Sequence, residues 1–343
     1  MSMRRIAALL KLSPAAVSMA LHNHPQIPEG TRRRVQATAR RIGYKPDAKL
    51  AELMGQIRSS SRPKVQACFG VVSFYETERP WTQSVHLGRM FQGMKQRAEA
   101  LGYRLEPLWL RAPGATPRRL SAVLDARGIE GLLCLGSPDI DESFPREFDH
   151  YAIVTQGWSI KAPLHRIVNH GHISTWRALD ELHKLNYRRP GMIIGQNLDV
   201  RGAHANVSAY LGWCEHTLGN PAVIPILRVT RAEEGPIIEW MRRHRPDVVV
   251  FVHDYDVLRE FAEMLRRARI RVPQELGVVA VTQLLDGSSF SGLEENQSLM
   301  GSWAIELLIS RIVNRDFGMP KNPRIEMVES QWVSGKTLRH QIL

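Results

Sequence analysis

The feature that most constrains the fold is an alternation of short apolar runs with amphipathic helical stretches, which begins at Val65. The apolar runs are bounded by polar residues and have the length of buried strands. They lie at 67–74, 105–110, 131–135, 152–155, 191–195, 247–252 and 276–281. The helical stretches lie at 85–101, 174–185, 203–218, 233–244 and 257–268. Strands that alternate with helices predict an α/β fold, in which helices cover both faces of parallel sheets.

The strands are too many for one sheet, so we predict two lobes that separate near Gly157. The N-lobe is expected to hold residues 64–156 and 285–318, and the C-lobe residues 157–284 and 319–343. In open parallel sheets, ligands bind at the carboxyl ends of the strands. A small-molecule site is therefore expected in the cleft between the lobes.

The positive charge of the chain is concentrated at its N-terminus. The first 64 residues hold 13 lysines and arginines against 3 acidic residues, a net charge of +10, whereas the other 279 residues carry only +2. A small segment with this charge is typical of a head that binds a polyanion such as DNA. The alternative, a solvated basic tail, would lack the apolar periodicity that this segment shows.

That periodicity predicts three short helices. Ser2 is a candidate N-cap for the first helix, which runs to Leu10. Ser13 is expected to cap the second helix, with Pro14 in its first turn, and Pro28 to open the third. Two helices joined by a tight turn and followed by a supporting helix form the helix-turn-helix plan. In that plan the second helix enters the major groove of DNA.

Several short motifs of this head stand at the spacings of a known family. They are Ile6-Ala7, Leu12-Ser13, Val17-Ser18, Ala20-Leu21, Thr31-Arg32 and Ile42-Gly43-Tyr44-Lys45-Pro46. The head resembles that of the LacI/GalR (lactose repressor) family, and a weaker resemblance continues through the body. The resemblance implies a helix-turn-helix head at 1–46, a hinge helix and linker at 47–63, and a two-lobed periplasmic-binding-protein-like core at 64–343. In that family the core binds an effector and forms the dimer.

The resemblance also implies which head residues meet DNA. The base-reading positions fall on Pro14, Ala15 and Met19, none of which makes the bidentate hydrogen bonds that distinguish bases. Contact with thymine methyl groups and DNA shape would then carry more of the specificity. Hydroxyl groups stand at the phosphate-contacting positions, with capping or packing as their alternative role. The candidate DNA contacts are Ser2, Ser13, Pro14, Ala15, Ala16, Ser18, Met19, His22, Thr31, Tyr44, Lys49, Leu50 and Leu53.

The hinge presents two alternatives. In the family, a hinge helix inserts a leucine into the minor groove and kinks the duplex. Counting from Tyr44 places Leu53 at that position, with Leu50 one turn earlier. The other interpretation is a plain linker helix that packs these leucines and Ile57 on the body.

The effector positions depart from the family pattern. Ala209 stands where an arginine usually precedes Trp213, and Thr282 stands where an aspartate usually follows a strand. Trp81 and Trp158 follow strands, where aromatic faces suit stacking on a sugar or another flat polar molecule, with core packing as the alternative. The candidate effector contacts are Trp81, Ser137, Asp139, Trp158, Ala209, His253, Asp254, Thr282 and Gln283.

Motifs of catalysis and of cofactor binding are missing from the sequence. It contains no GxGxxG after a strand, no GxxxxGK[ST] and no GxSxG, so we predict neither an enzyme nor a bound cofactor. His170 and His172 would share one face of a strand, but further ligands are missing nearby, and we predict no metal site. Three scattered cysteines and the lack of a membrane-spanning run predict a cytoplasmic protein with no membrane partner.

Three functions remain in order of preference. The first is a transcriptional regulator that binds a palindromic double-stranded DNA operator as a homodimer and responds to a small-molecule effector. The second is a DNA-associated binding protein without a specific operator, whose affinity would fall steeply with salt. The third is an α/β enzyme, for which the sequence offers no catalytic constellation.

Overall fold

The computed structural model describes residues 3–10, 12–21, 27–41, 67–139, 142–219, 224–281 and 288–341. The chain divides into two compact units, Met1–Lys64 and Val65–Leu343. We refer to the first unit as the head and to the second as the core, and describe each by itself.

In the part of the head that the structure describes, three helices surround a small apolar centre. They are α1 (Met3–Leu10), α2 (Pro14–Leu21) and α3 (Glu29–Arg41). Ile6, Val17, Ala20 and Val35 are fully buried between them. The Ser13 hydroxyl accepts a 3.1 Å hydrogen bond from the backbone N–H of Ala16, which confirms the predicted cap of α2.

The first sheet of the core defines the N-lobe. Its strands are β1 (Cys68–Ser73), β2 (Arg104–Trp109), β3 (Gly131–Cys134), β4 (Ala152–Gln156), β5 (His165–Asn169) and β11 (Ile325–Val328). They lie in the order β11-β5-β4-β3-β1-β2, and every pair is parallel. The helices of this lobe are α4 (Val85–Ala100), α5 (Pro117–Ala126) and α11 (Gln297–Asn314).

Helices α4 and α11 pack with their backbones in close contact. A Cβ atom on Gly93 would lie 1.9 Å from the carbonyl oxygen of Ser298, and one on Gly301 would lie 2.1 Å from that of Met90. Only glycine fits at both positions, because a Cβ atom would overlap backbone rather than a movable side chain. This contact holds the middle of α4 against the start of α11.

The second sheet defines the C-lobe. Its strands are β6 (Pro190–Gly195), β7 (Leu227–Val229), β8 (Val248–Val252), β9 (Gly277–Val281), β10 (Ser291–Glu294) and β12 (Gln331–Val333). They lie in the order β12-β10-β9-β8-β6-β7, with β12 antiparallel to β10. The helices are α6 (Gly171–Lys184), α7 (Gln196–Arg201), α8 (Ala205–Leu218), α9 (Glu234–His244) and α10 (Tyr255–Arg267). Two sheets that are parallel except for β12, with covering helices, confirm the predicted α/β architecture.

Strand pairing corrects the predicted lobe boundaries. Strand β5 falls in the range 157–284 predicted for the C-lobe but pairs with β4 in the N-lobe. Strand β10 falls in the range 285–318 predicted for the N-lobe but pairs with β9 in the C-lobe. Strand β11 falls in 319–343, predicted for the C-lobe, but pairs with β5. Apolar patterns reveal that a segment is a strand, whereas its partner depends on contacts far away in the sequence.

The chain therefore passes between the lobes three times. The crossovers lie between β5 and α6, between β10 and α11, and between β11 and β12. Hydrogen bonds join them side by side: Asn169 Nδ2 donates to Glu295 Oε1 at 2.5 Å, and Asn296 Nδ2 donates to the carbonyl of Glu329 at 2.7 Å. The three crossovers form one hydrogen-bonded hinge between the lobes.

Candidate functional site

A cavity of about 480 Å³ lies between the two lobes of the core. It opens at the carboxyl ends of the parallel strands, the place where such sheets bind ligands. From the N-lobe it is lined by Tyr75, Gln83, Ser84, His86, Gln156, Trp158 and Asn169, among others. From the C-lobe and the hinge it is lined by Arg201, Asn206, His253, Asp254, Tyr255, Glu295 and Gln297, among others. We refer to this cavity as the cleft.

Trp158 reaches the cleft from a loop that is organised around Arg166. The Arg166 guanidinium lies 4.9 Å from the centre of the Trp158 ring and donates hydrogen bonds to the carbonyls of Gly157, Ile160 and Ala162. Arg166 is buried, and burial lowers its pKa. A guanidinium that stacks on the indole and satisfies three carbonyls holds the ring in one orientation.

Glu295 lies in the crossover that leads into α11. Its carboxylate accepts hydrogen bonds from Asn169 Nδ2 at 2.5 Å and from Gln297 Nε2 at 2.7 Å. Burial outweighs these bonds and raises the pKa of Glu295 to about 7. The protonation of this carboxyl group therefore changes near neutral pH.

His86, in the first turn of α4, lies beside that carboxylate. Its Nδ1 is 4.0 Å from Glu295 Oε2, and its Nε2 is 3.2 Å from Gln156 Nε2. Burial between the lobes lowers the pKa of His86 to about 4, so the ring is neutral at pH 7. The side chain is still 40% exposed, because the cleft is open to solvent.

His253 and Asp254 follow β8 on the C-lobe wall. His253 Nδ1 accepts a 2.8 Å hydrogen bond from the backbone N–H of Asp254, so the proton of the neutral ring lies on Nε2. Burial lowers the pKa of His253. The Asp254 carboxylate is 76% exposed and presents a negative charge to the cleft.

Arg201, the last residue of α7, links the two walls. Its Nη2 donates a 2.7 Å hydrogen bond to the carbonyl oxygen of Ser137 in the N-lobe. This is a contact between the lobes outside the three crossovers.

The predicted residues Ser137 and Asp139 support the N-lobe wall with their side chains. The buried Ser137 hydroxyl donates to Glu142 at 2.8 Å. Arg111 pairs with Asp139 at 2.5 Å, with Glu142 at 3.1 Å and with Glu76 at 2.6 Å. One arginine thus ties together loops that follow three strands, and neither Ser137 nor Asp139 is among the residues that line the cleft.

The other predicted effector contacts fall into three groups: residues that line the cleft, residues that do not, and residues outside the described part of the chain. Trp158, His253 and Asp254 line the cleft together, and their contact with a ligand stays a prediction. Trp81 stacks on Phe91 with ring centres 4.1 Å apart, and Ala209 is fully buried within α8, so neither lines it. Thr282 and Gln283 lie outside the described residues.

Two predicted histidines occupy a helix instead of a strand. His170 is the N-cap of α6, where its Nδ1 accepts a 3.4 Å hydrogen bond from the backbone N–H of Ile173. His172 lies within α6 and stacks on Trp176. They do not share a strand face, because β5 ends at Asn169 and the helix starts directly after it. The described residues contain no group of three or more potential metal ligands.

The head presents part of its predicted DNA surface. Ser13 is exposed and caps α2, Ala16 is half-buried, and Thr31 is half-buried in the first turn of α3. Arg33, Arg34, Arg40 and Arg41 are exposed along α3. The side chains of Pro14, Ala15, Ser18 and Met19 lie outside the described part of the head, as do Ser2, His22, Tyr44, Lys49, Leu50 and Leu53.

The sequence did not single out Arg201, Glu295, Asn169, His86 or Asn206 as cleft residues. A weak signal exists for Glu295, since a run of five polar residues separates two apolar stretches there. This polar run indicates a crossover between the lobes only after β10 and α11 have been assigned to different lobes.

Comparisons with known proteins agree with this architecture. Residues 179–338 match the family model described as a periplasmic binding protein-like domain. A search of curated protein sequences finds no significant match. Within the residues that the structure describes, no helix is long and apolar enough to cross a membrane.

Solved structures with the same fold match between 80% and 99% of the chain. The cellobiose complex of the transcriptional regulator CelR is 17% identical, with a TM-score of 0.61 and coverage of 98% of this chain and 99% of that one. The lac repressor dimer bound to operator and the anti-inducer ONPF is 14% identical, with a TM-score of 0.59 and 99% of both chains covered. CcpA of Lactococcus lactis is 12% identical, with a TM-score of 0.59, and matches 80% of this chain and 100% of its own.

At these identities the likeness concerns the fold, and it agrees with the resemblance found in the sequence. Residues 179–338 are thus similar to periplasmic binding protein-like domains, and the chain has the fold of the CelR, lac repressor and CcpA structures.

Proposed function

We propose that this protein is a sequence-specific, DNA-binding transcriptional regulator that acts as a homodimer in the cytoplasm and is controlled by a small molecule bound in the cleft. The observation that carries the proposal is the combination, in one chain, of a basic three-helix head with a two-lobed core that encloses a polar cleft. The proposed domains are the head at 1–46, the hinge at 47–63 and the effector-binding and dimerisation core at 64–343.

The head supports the DNA-binding part of the proposal. Its residues belong to a segment with a net charge of +10, and exposed arginines extend along α3. A charge of this size provides the phosphate contacts that position a helix-turn-helix on the duplex. Two heads related by a two-fold axis would read two half-sites, so the expected operator is palindromic.

The cleft supports the effector part. Its volume falls in the range of small-molecule sites, and its lining combines an aromatic face with amide, carboxylate and guanidinium groups. Such a site suits a sugar-like or other flat polar ligand, with Trp158 as the stacking surface. The fold neighbours include a regulator in complex with cellobiose and a repressor bound to operator and an anti-inducer.

Control by the effector follows from the two lobes. A ligand that contacts both walls binds the closed arrangement more tightly than the open one and shifts the population toward closure. The three crossovers are the points at which such a change takes place. The candidate DNA contacts named above, together with Leu50 or Leu53 of the hinge, are the residues through which the change would reach DNA.

The test is a selection of genomic DNA fragments by the purified full-length protein at low and physiological salt. We expect a palindromic site that stays enriched at the higher salt. The double variant Arg40→Gln/Arg41→Gln should lose most of the enrichment. Arg242→Gln/Arg243→Gln, which removes the same charge from exposed positions on α9 of the core, should retain it. Enrichment that is flat and disappears with salt would contradict the proposal.

One observation favours a second candidate, a DNA-associated effector-binding protein without a specific operator. Pro14, Ala15 and Met19 lack the groups that make bidentate contacts with bases. This candidate predicts the flat, salt-sensitive outcome of the same selection. An enzyme is the least supported function, because the fold neighbours are transcription regulators and the sequence lacks catalytic motifs.

A further inference from the structure

One buried hydrogen-bond acceptor without a donor lies where the cleft meets the hinge. Gln297 donates through Nε2 to Glu295, but its own Oε1 has no hydrogen-bond partner, although the residue is only 2% exposed. A buried amide oxygen without a donor costs free energy, so a donor from a bound molecule or water would stabilise it. Gln297 lines the cleft, which makes the cleft the source of such a donor.

Two carboxylates line the same space from different parts of the core. Glu295 comes from the hinge, and Asp254 comes from the C-lobe wall at the start of α10. Burial is the main cause of the raised pKa of Glu295, and the negative charges of Glu294 and Asp254 add to it. A cation placed between two carboxylates relieves the repulsion between their charges.

The cations near this space have other partners or are neutral at pH 7. Arg89 pairs with Glu294 at 2.8 Å, and Arg201 donates to the Ser137 carbonyl. His86 and His253 face these carboxylates, and burial lowers the pKa of both rings. Among the described residues, no lysine or arginine lies within ion-pair distance of Glu295 or Asp254.

We infer that the effector of this cleft carries a cationic nitrogen, such as an ammonium group, on a polar body, and that Glu295 and Asp254 hold the nitrogen between them with Gln297 Oε1 as a further acceptor. The inference rests on the proposed function, which requires a ligand in the cleft. An ammonium group offers three donors and one positive charge, which match an unpartnered amide oxygen and two carboxylates. The amides of Gln83 and Asn206 and the face of Trp158 are left for the body of the ligand.

Such a ligand would bind in a pH-dependent way. A cation favours the ionised form of Glu295, so below pH 7 binding must first remove a proton from it. The affinity should therefore rise about tenfold from pH 6 to pH 8 for a ligand whose own charge is constant. The other titratable or charged groups near Glu295 are His86, His253, Asp254, Glu294 and Arg201. Burial lowers the pKa of both histidines, and that of His86 to about 4, so His86 stays neutral in this window.

The experiment compares three linear polyols of the same length that end in different groups. Glucamine ends in an ammonium, sorbitol in a hydroxymethyl and gluconate in a carboxylate group. Binding to the full-length protein is measured by calorimetry and by tryptophan fluorescence at pH 6 and pH 8. We expect glucamine to bind at least about tenfold more tightly than sorbitol, which corresponds to one charge-assisted contact, and gluconate to bind most weakly.

Matched variants assign the effect to the two carboxylates. Glu295→Gln should abolish both the preference for glucamine and its pH dependence, and Asp254→Asn, at a mostly exposed position, should reduce the preference. Glu239→Gln, exposed on α9 outside the cleft, should change neither. Thermal unfolding shows that each variant is folded.

Three outcomes would overturn the inference: equal or tighter binding of sorbitol or gluconate, an unchanged preference in folded Glu295→Gln, or no binding of any of the three. The first two leave the proposed function standing, since they concern only the charge of the ligand. A failed fragment selection, in contrast, would contradict the regulator while leaving the ligand preference measurable.

Discussion

Arg201 of the C-lobe donates a 2.7 Å hydrogen bond to the carbonyl oxygen of Ser137 in the N-lobe. The same Ser137 is held by Glu142, which Arg111 pairs with on the N-lobe wall. The contact between the lobes therefore ends on a loop whose position is fixed by Glu142 and Arg111.

Replacement of Arg201 by alanine should open the cleft. The variant loses one charge-assisted hydrogen bond between the lobes, which shifts the population of the closed form by about tenfold or more. Small-angle X-ray scattering of the unliganded protein should show a larger radius of gyration than in the wild type. Arg259→Ala, which removes the same charge from an exposed position on α10, should scatter like the wild type. An unchanged radius in Arg201→Ala would show that the contact does not hold the lobes together.

Replacement of Arg166 by methionine should release the loop that carries Trp158. The substitution leaves the carbonyls of residues 157, 160 and 162 without their donor, at a cost of about 2–4 kcal/mol in the free energy of unfolding. Urea unfolding measures the cost, and acrylamide quenching of tryptophan fluorescence reports the exposure of the ring. Arg118→Met, at an exposed position on α5, is the control and should stay within about 0.5 kcal/mol of the wild type. Equal unfolding midpoints for the two variants would contradict the role given to Arg166.

Ser13 offers a way to separate a helix cap from a phosphate contact. Ser13→Ala removes the acceptor for the Ala16 N–H and should destabilise the head by about 1 kcal/mol. Ser13→Asp keeps a capping oxygen and favours the helix N-terminus, but it places a negative charge where a phosphate is expected. We expect the aspartate variant to unfold like the wild type and to bind DNA more weakly, as measured by circular dichroism and fluorescence anisotropy. If Ser13→Asp binds DNA as tightly as the wild type, Ser13 does not contact a phosphate and acts only as a helix cap.

Much of the fold could be predicted because strands and helices have local signals. All seven predicted strands of the core occur, and each begins and ends within one residue of its prediction. The segments that the sequence did not reveal as strands, such as β7, β10 and β12, are short, and short runs have little periodicity. Lobe membership could not be predicted, since it depends on which strands pair across long separations.

Among the residues that line the cleft, some also have a local signal in the sequence and others do not. Trp158, His253 and Asp254 follow strands that are visible in the sequence, so their position at the carboxyl edge could be predicted. Arg201 and Glu295 have no such signal. Arg201 ends a helix of six residues, and Glu295 gains its neighbours only because β10 belongs to one lobe and α11 to the other.

The raised pKa of Glu295 gives the core a pH-dependent stability. A carboxyl group whose pKa rises from 4.5 unfolded to about 7 folded is bound more firmly to its proton in the native state. Its favourable contribution is fully present below pH 4.5 and is lost as the pH rises through 7, an effect of about 3 kcal/mol at most.

His86, with its lowered pKa, gives the opposite dependence of stability on pH below pH 6.5, so the wild-type profile alone does not separate the two groups. The difference in the free energy of unfolding between the wild type and Glu295→Gln isolates Glu295, because the contribution of His86 is the same in both proteins and cancels. We expect chemical denaturation to show this difference moving in favour of the glutamine variant between pH 5 and pH 8. A difference that stays constant over this range would mean that Glu295 titrates in the folded protein as it does in the unfolded chain.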